Sequence, residues 1–175
     1  AKTNQIIKLE LKIETQKIAT RDGYGKALLE LGKINPNVVA LDADLSDSTR
    51  SEYFAKQFPE RFFSMGIAEQ DMIGAAAGLA FSGKIPYAST FAVFSESAFE
   101  FVRNIVSRNK LNVKIAGSHA GIFTGEDGKS AQALEDISFY RTLPYFVVLQ
   151  PCDAVETRKA VFALEKFKGP SYMRL

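Results

Sequence analysis

Residues 63–94 read FSMGIAEQDMIGAAAGLAFSGKIPYASTFAVF, and this stretch decides the fold. A glutamate, Glu69, opens a run of small residues that is typical of a closely packed helix. A glycine ends that helix, and the apolar segment at 86–90 then predicts a buried strand. Two phenylalanines, Phe91 and Phe94, close that strand. Helix followed by strand, in this rhythm, indicates one unit of a parallel α/β sheet.

The same alternation continues along the rest of the chain. It predicts an α/β fold, a doubly wound parallel sheet of about six strands with helices on both faces. We expect strands at 38–42, 61–64, 86–90, 113–118, 146–149 and 171–175. The main helices are expected at 22–34, from Glu69 to Gly83, at 95–108 and at 155–167, the last with a start signal in Asp153 and Glu156.

Length and composition favour one domain. The chain has 175 residues, 46% of them hydrophobic and 14 of them Phe, so it can bury roughly 70% of its unfolded surface. We expect a single domain over 1–175, with residues 1–17 as an N-terminal extension. The apolar strand at 171–175 has no polar tail after it, so we expect the natural chain to continue into a further C-terminal domain.

Charge and cysteine content exclude several classes of protein. The 22 basic and 20 acidic residues are interspersed, which leaves no footprint for nucleic acid or an anionic membrane. The longest uncharged run, 72–83, is too short for a bilayer, which takes about 20 residues. The single Cys152 cannot form an internal disulfide, and one Cys with one His gives no metal-binding pattern. These features predict a cytoplasmic protein without a metal site of its own.

Candidate site residues follow the predicted strands. Ligands in open parallel sheets gather at the carboxyl ends of the strands. A glutamate at a helix start is stabilised by the helix dipole, by about 0.3 to 1 kcal/mol, whatever else it does. With two aromatic rings nearby, it can also bond a nitrogen of a flat heteroaromatic ring held between them. The candidates are Arg21, Asp44, Ser48, Glu69, Phe91, Phe94, His119 and Asp127.

Three blocks of sequence resemble a known family. The segments GIAEQ at 66–70, STFAVF at 89–94 and SHAGIFTGEDGKSAQALED at 118–136 are similar to the pyrimidine-binding domain of transketolases, which use thiamine diphosphate. The resemblance is strongest to the C-terminal subunit of a two-chain transketolase. It implies the transfer of a two-carbon ketol unit between sugar phosphates.

The resemblance also implies a role for each candidate. Glu69 would bond the aminopyrimidine ring of thiamine diphosphate and activate the cofactor. Phe91 and Phe94 would hold that ring, with Asp44 beside the cofactor. Four residues would bind the substrate, with Arg21 and Ser48 at the sugar phosphate and His119 and Asp127 at the donor sugar. His119 would also be catalytic.

A partner chain is implied as well. In the family, a Gly-Asp-Gly segment and a later asparagine hold the diphosphate through a divalent metal, and this sequence lacks them. The resemblance therefore implies a diphosphate-binding subunit that holds Mg²⁺ or Ca²⁺, in a homodimer or heterotetramer. We expect the small-residue helix to lie at that interface and the chain to be inactive alone.

Several alternatives stay open at this point. A domain like that of 1-deoxy-D-xylulose-5-phosphate synthase, or of the 2-oxoacid dehydrogenase beta subunit, shares this plan. A non-catalytic regulatory or interaction module is favoured by Ser97 and Ala131, where relatives carry a tyrosine and a histidine. The segment VVALDAD at 38–44 also resembles the Asp-x-Asp start of haloacid-dehalogenase-like phosphatases, without the residues that follow there.

Overall fold

The computed structural model describes residues 17–175, so the predicted extension over 1–17 lies almost entirely outside the described residues. The described part contains one six-stranded sheet in which all neighbouring strands run parallel. The strands are β1 (Val38–Asp42), β2 (Phe62–Ser64), β3 (Ile85–Phe91), β4 (Lys114–Ser118), β5 (Val147–Leu149) and β6 (Ser171–Arg174).

All six predicted strands are confirmed, each with ends within one residue of the prediction. Their order across the sheet is β2-β1-β3-β4-β6-β5. Strands that are covered on both faces are mainly apolar, and β1 is buried along its whole length, with only its last residue, Asp42, charged. This is why short apolar runs, rather than alternating ones, mark the strands in the sequence.

Eight α-helical segments flank the sheet in the described part. They are α1 (Thr20–Ile34), α2 (Ser46–Thr49), α3 (Glu52–Gln57), α4 (Glu69–Phe81), α5 (Ala92–Ser95), α6 (Phe99–Phe101), α7 (Asp136–Arg141) and α8 (Ala154–Lys166). The predicted start of α8 is confirmed, because the Asp153 side chain accepts a hydrogen bond from the Glu156 N–H at 2.7 Å. None of the described helices is long and apolar enough to span a membrane.

The long helix predicted at 95–108 is helical along its length, but it is not a regular α-helix. Helical structure begins earlier, with α5, tightens into a 3₁₀ turn at Glu96–Ala98, and widens into a π-helix at Val102–Ser107 after α6. Two serines bond back to carbonyl groups within the first turns: Ser95 Oγ donates to Ala92 O at 2.6 Å, and Ser97 Oγ donates to Phe94 O at 2.8 Å. Such bonds compete with regular helical pairing. Because β3 ends at Phe91 and α5 begins at Ala92, Phe94 lies in a helical turn and does not close the strand.

Helices cover both faces of the sheet, which confirms the doubly wound arrangement. One apolar cluster joins α4, the segment at 98–106 and Tyr140 of α7 to the first face. The other joins α1, Phe54 of α3 and α8 to the second face. Alternate residues of β1 serve the two clusters, with Leu41 in the first and Ala40 in the second.

The order of the strands creates a crevice between β1 and β3. The connection after β1 packs on the second face through Phe54, whereas the connection after β3 packs on the first face through Ala98. Adjacent strands whose connections leave on opposite faces form a topological switch point, where ligands of open α/β sheets bind. The first turns of α1 and α4 lie at this same carboxyl edge, since both helices run back toward the start of the next strand.

Candidate functional site

Glu69 opens α4 beside a cavity. Gly66, with a φ of +68°, turns the chain after β2, and the Ala68 N–H closes a tight turn onto Gly66 O at 2.8 Å. The next residue is therefore the first of the helix. Glu69 is half-buried, and its carboxylate accepts no hydrogen bond from any described residue. It lines a cavity of about 490 Å³.

A glutamine that the sequence analysis did not single out braces this cavity. Gln70 Nε2 donates to Ser97 O at 3.0 Å, which ties the first turn of α4 to the turn that carries Phe94. Ser97 lies 27 residues from Gln70 in the chain, so no local sequence pattern predicts this hydrogen bond. The cavity is lined by Ile67, Ala68, Glu69, Gln70, Asp71, Ser97 and Phe101.

Three rings form a stack at the ends of β3 and β4. Phe91 and Phe94 lie parallel within 6°, with centroids 5.5 Å apart. The His119 ring lies on Phe91 at a centroid distance of 3.9 Å. Phe91 is only 6% exposed, whereas Phe94 is 37% exposed. The stack therefore has a fixed centre and an aromatic end that a flat ligand can reach.

His119 is held in an unusual backbone conformation. Its φ of +55° lies in the left-handed region, which non-glycine residues adopt rarely and at a cost. Its ring is bonded on both sides, Nε2 to Arg21 Nη1 at 2.7 Å and Nδ1 to Ser118 Oγ at 2.9 Å. Burial, followed by the charge of Arg21, lowers the pKa of His119 below its usual range, although Asp127 opposes the shift. The imidazole is therefore mainly neutral at pH 7.

Arg21 joins two of the predicted substrate residues. Besides His119, it donates from Nη1 to the carbonyl oxygen of Ser48 at 3.4 Å. Arg21 and His119 both line a second cavity, of about 450 Å³, whose wall includes Thr20 and Thr124. The structure thus brings Arg21, Ser48 and His119 together, and the sequence separation of Arg21 and His119 is 98 residues.

Asp44 and Asp127 make no hydrogen bond to this group, although the charge of Asp127 acts on His119. Asp44 is exposed after β1, with a φ of +64° that Asp tolerates better than most residues. Asp127 is exposed in a 3₁₀ turn at Gly125–Asp127. Neither carboxylate accepts a hydrogen bond from a described residue, so both are available to a ligand.

The first aspartate of the Asp-x-Asp segment at 42–44 has a structural role. Asp42 is 1% exposed and accepts hydrogen bonds from the Leu45 N–H at 2.6 Å, Thr49 Oγ1 at 2.7 Å and Ser51 Oγ at 2.8 Å. Both of its oxygens are engaged, so it is not a free nucleophile. The phosphatase alternative is therefore unsupported. The sequence signal for this role is a threonine and a serine, seven and nine residues after the aspartate that ends β1, since both can donate hydrogen bonds to it.

The residues of the first cavity fit a flat ring that contains basic nitrogens. Glu69 has free oxygens toward the cavity, and the exposed end of the aromatic stack belongs to the turn that Gln70 ties to α4. Among residues 17–175, no cluster of three or more His, Cys, Asp or Glu side chains is arranged to hold a metal ion.

Comparison with known proteins shows the family of this chain. The family model described as "Transketolase, pyrimidine binding domain" matches residues 16–175. A relative named putative transketolase C-terminal section, from Methanocaldococcus jannaschii, is 53% identical over 156 residues, which is 89% of this chain and 49% of the relative. Human transketolase is 43% identical over 159 residues, 90% of this chain and 25% of the relative.

Solved structures give the same picture. A split-gene transketolase described as an inactive β4 tetramer is similar with a TM-score of 0.81 and 57% identity, over 90% of this chain and 50% of that one. Transketolase from Campylobacter jejuni is similar with a TM-score of 0.84 and 31% identity, over 91% of this chain and 26% of that one. The chain spans about half the length of the split relatives and about a quarter of the full-length ones. The chain belongs to the transketolase pyrimidine-binding domain family.

Proposed function

We propose that this chain is the pyrimidine-binding part of a thiamine diphosphate-dependent transketolase, which transfers a two-carbon ketol unit between sugar phosphates. One observation carries the proposal: Glu69 opens α4 with an unpartnered carboxylate on a cavity at the same sheet edge as the aromatic stack. A carboxylate there can accept a hydrogen bond from a protonated ring nitrogen or donate one when it is itself protonated.

The cofactor side of the site consists of Glu69, Phe91, Phe94 and Asp44. Phe94 presents a partly exposed aromatic face that a pyrimidine ring can stack on, and Phe91 supports it from the buried side. Glu69 holds or moves a proton at a ring nitrogen. Thiamine diphosphate, when bound, supplies the carbanion stabilisation that ketol transfer requires.

The substrate side consists of Arg21, Ser48, His119 and Asp127. The planar guanidinium of Arg21 suits a phosphate group, and its contact with Ser48 O supports a shared role in that recognition. The His119 ring and the free Asp127 carboxylate suit the hydroxyl groups of a sugar.

A partner subunit completes the site in this proposal, and it holds the diphosphate through Mg²⁺ or Ca²⁺. The relatives support a division of this kind, because a chain of similar sequence is named a C-terminal section and another is from a split gene. We propose a homodimer or heterotetramer as the assembly. We further propose a cytoplasmic location, consistent with the exposed free thiol of Cys152.

The surface of α4 supports an interface. A Cβ atom added at Gly74 or Gly78 would meet no atom within 4 Å, and the Phe81 side chain is 86% exposed. Together with Ile105, these residues frame an apolar groove of about 460 Å³. Glycines on an open helix face let another backbone approach closely. A bulky side chain there should prevent that approach, so we expect Gly78→Trp to reduce assembly with the diphosphate-binding subunit. Size-exclusion chromatography of the mixed subunits measures this assembly.

The decisive experiment compares two acids in one helical turn. In the complex reconstituted with a diphosphate-binding subunit, Glu69→Gln should lower kcat for ketol transfer by at least about 100-fold, the range of general acid–base effects. Asp71→Asn is the matched control, because Asp71 lines the same cavity two residues further on. It should leave kcat within about threefold of wild type, since a carboxylate without a role in the chemistry contributes little.

Two results would overturn the proposal. Equal loss of activity in both variants would indicate a general effect on the helix start and not the chemistry of Glu69. Wild-type turnover by Glu69→Gln would remove Glu69 from the reaction altogether. Thermal unfolding of both variants should match that of wild type, which excludes a folding defect as the cause.

A further inference from the structure

Ser118 is buried beside His119 and was not among the predicted site residues. It is the last residue of β4, pairs in register with Phe91 of β3, and is 1% exposed. Its hydroxyl lies 2.9 Å from His119 Nδ1 and 3.5 Å from the Thr90 carbonyl oxygen. The hydroxyl therefore has one neighbour that can only accept a hydrogen bond and one whose role depends on the tautomer.

The opposite side of the ring settles that tautomer. Arg21 has only N–H donors and stays charged, so a nitrogen 2.7 Å from its Nη1 must be an acceptor. His119 Nε2 consequently carries the lone pair, and the proton of the neutral ring is on Nδ1. Nδ1–H then donates to Ser118 Oγ, and the Ser118 hydroxyl donates to Thr90 O. Every donor in this chain of four groups has an acceptor.

We propose that Ser118 is a positioning residue that holds His119 as the neutral Nδ1–H tautomer. In proteins, the hydrogen bond made by one ring nitrogen of a histidine usually determines which of the two nitrogens carries the proton. The left-handed backbone at His119 and the stack on Phe91 fix the ring plane, and Ser118 fixes which edge carries the proton. Arg21 favours the same tautomer, because it donates a hydrogen bond to Nε2.

The tautomer limits what His119 can do in the second cavity. A neutral ring with its lone pair on Nε2 accepts a hydrogen bond from a hydroxyl group but cannot donate one to a carbonyl oxygen. A substrate hydroxyl that took the place of the Arg21 N–H would therefore meet an acceptor at Nε2. This assignment rests on the proposed function only in taking the ligand to be a sugar.

The test uses the single histidine of this sequence. The full chain is labelled with ¹⁵N-histidine and assembled with an unlabelled diphosphate-binding subunit, without cofactor or substrate. Long-range ¹H–¹⁵N correlation spectra then report the protonation of Nδ1 and Nε2 of His119 across a pH titration. We expect the wild-type neutral ring to be protonated at Nδ1, the reverse of the tautomer that free histidine prefers in water.

Three variants separate the contributions. Ser118→Ala should shift the ratio of the two neutral tautomers toward Nε2–H by about fivefold, the factor of one ordinary hydrogen bond. Ser118→Thr keeps the hydroxyl and should restore the wild-type ratio. Arg21→Met should shift the ratio in the same direction as Ser118→Ala and also raise the pKa of His119, since a neighbouring positive charge is removed.

An Nε2–H ring in the wild-type protein, or an unchanged ratio in Ser118→Ala, would overturn the proposal. Both readouts are taken without catalysis, so they do not depend on whether Glu69 activates a cofactor. If the tautomer is as proposed but Glu69→Gln keeps full turnover, the proposed function fails and the role of Ser118 stands.

Discussion

Two carboxylates at the carboxyl edge of the sheet differ in how far the protein satisfies them. At the end of β1, Asp42 is buried and accepts three hydrogen bonds from the loop that follows. At the first turn of α4, Glu69 is half-buried and accepts none from the described chain. A saturated buried acid holds a loop in place, whereas an unsaturated one beside a cavity leaves bonding capacity for a ligand.

The largest expected effect comes from removing the saturated acid. Asp42→Ala removes the acceptor of the Leu45 N–H and of the Ser51 hydroxyl, and it leaves Thr49 Oγ1 with Ser51 Oγ as its remaining acceptor. We therefore expect the free energy of unfolding to fall by about 3 kcal/mol. Glu69→Ala should lower it by less than about 1 kcal/mol, the value of an acid at an exposed helix start. Denaturant titration of the two variants measures both numbers. Equal losses would contradict the distinction between the two acids.

The aromatic stack allows a second comparison, between its buried centre and its exposed end. Phe91→Ala should destabilise the fold by about 3 kcal/mol, as is common for a buried Phe. Phe94→Ala should change stability little and instead weaken the binding of thiamine diphosphate to the reconstituted complex by about tenfold, the value of one good ring contact. Calorimetric titration with the cofactor checks the second expectation. Unchanged affinity would remove Phe94 from the cofactor site.

The smallest expected effect concerns Glu96, a third acid that is neither saturated nor beside the Glu69 cavity. Its Oε1 atom is buried without a partner, and burial, with the charges of Glu135 and Asp136, raises the pKa of Glu96 to about 7. The folded state therefore binds this proton more tightly than the unfolded state. The stabilising effect is present below pH 4.5 and is lost as pH rises toward 7.

Glu96→Gln removes this dependence. We expect the variant to unfold at a higher temperature than wild type at pH 8 and to lose that advantage by pH 4.5. Thermal unfolding by circular dichroism across this range is the measurement. A difference between the two proteins that does not vary with pH would show that Glu96 does not titrate in this window.

Much of the fold could be predicted from sequence because a doubly covered parallel sheet requires apolar strands. The central strands β1, β3 and β4 are buried along almost their whole length, and Gly83, with a φ of +88°, marks the end of α4 as expected. The order of the strands and the short helices α2, α3 and α7 depend on packing between distant segments. The irregular helix after β3 depends on serine hydroxyls that bond locally, as Ser95 does.

The candidate site divides in the same way. The residue types at the strand ends and the helix start at Glu69 are local features, and the sequence carries them. The contacts of Arg21 with His119, of Phe91 with His119 and of Gln70 with Ser97 join segments that are far apart in the chain. They depend on which strands are neighbours, so they became visible only in the folded chain.

The central claim is that the Glu69 carboxylate activates a bound cofactor. The most direct test is the exchange rate of the C2 proton of thiamine diphosphate with deuterium in the reconstituted complex, measured by quenched-flow NMR before any sugar is added. We expect Glu69→Gln to slow this exchange by at least about 100-fold relative to wild type, with cofactor still bound. Exchange at the wild-type rate in the variant would contradict the account.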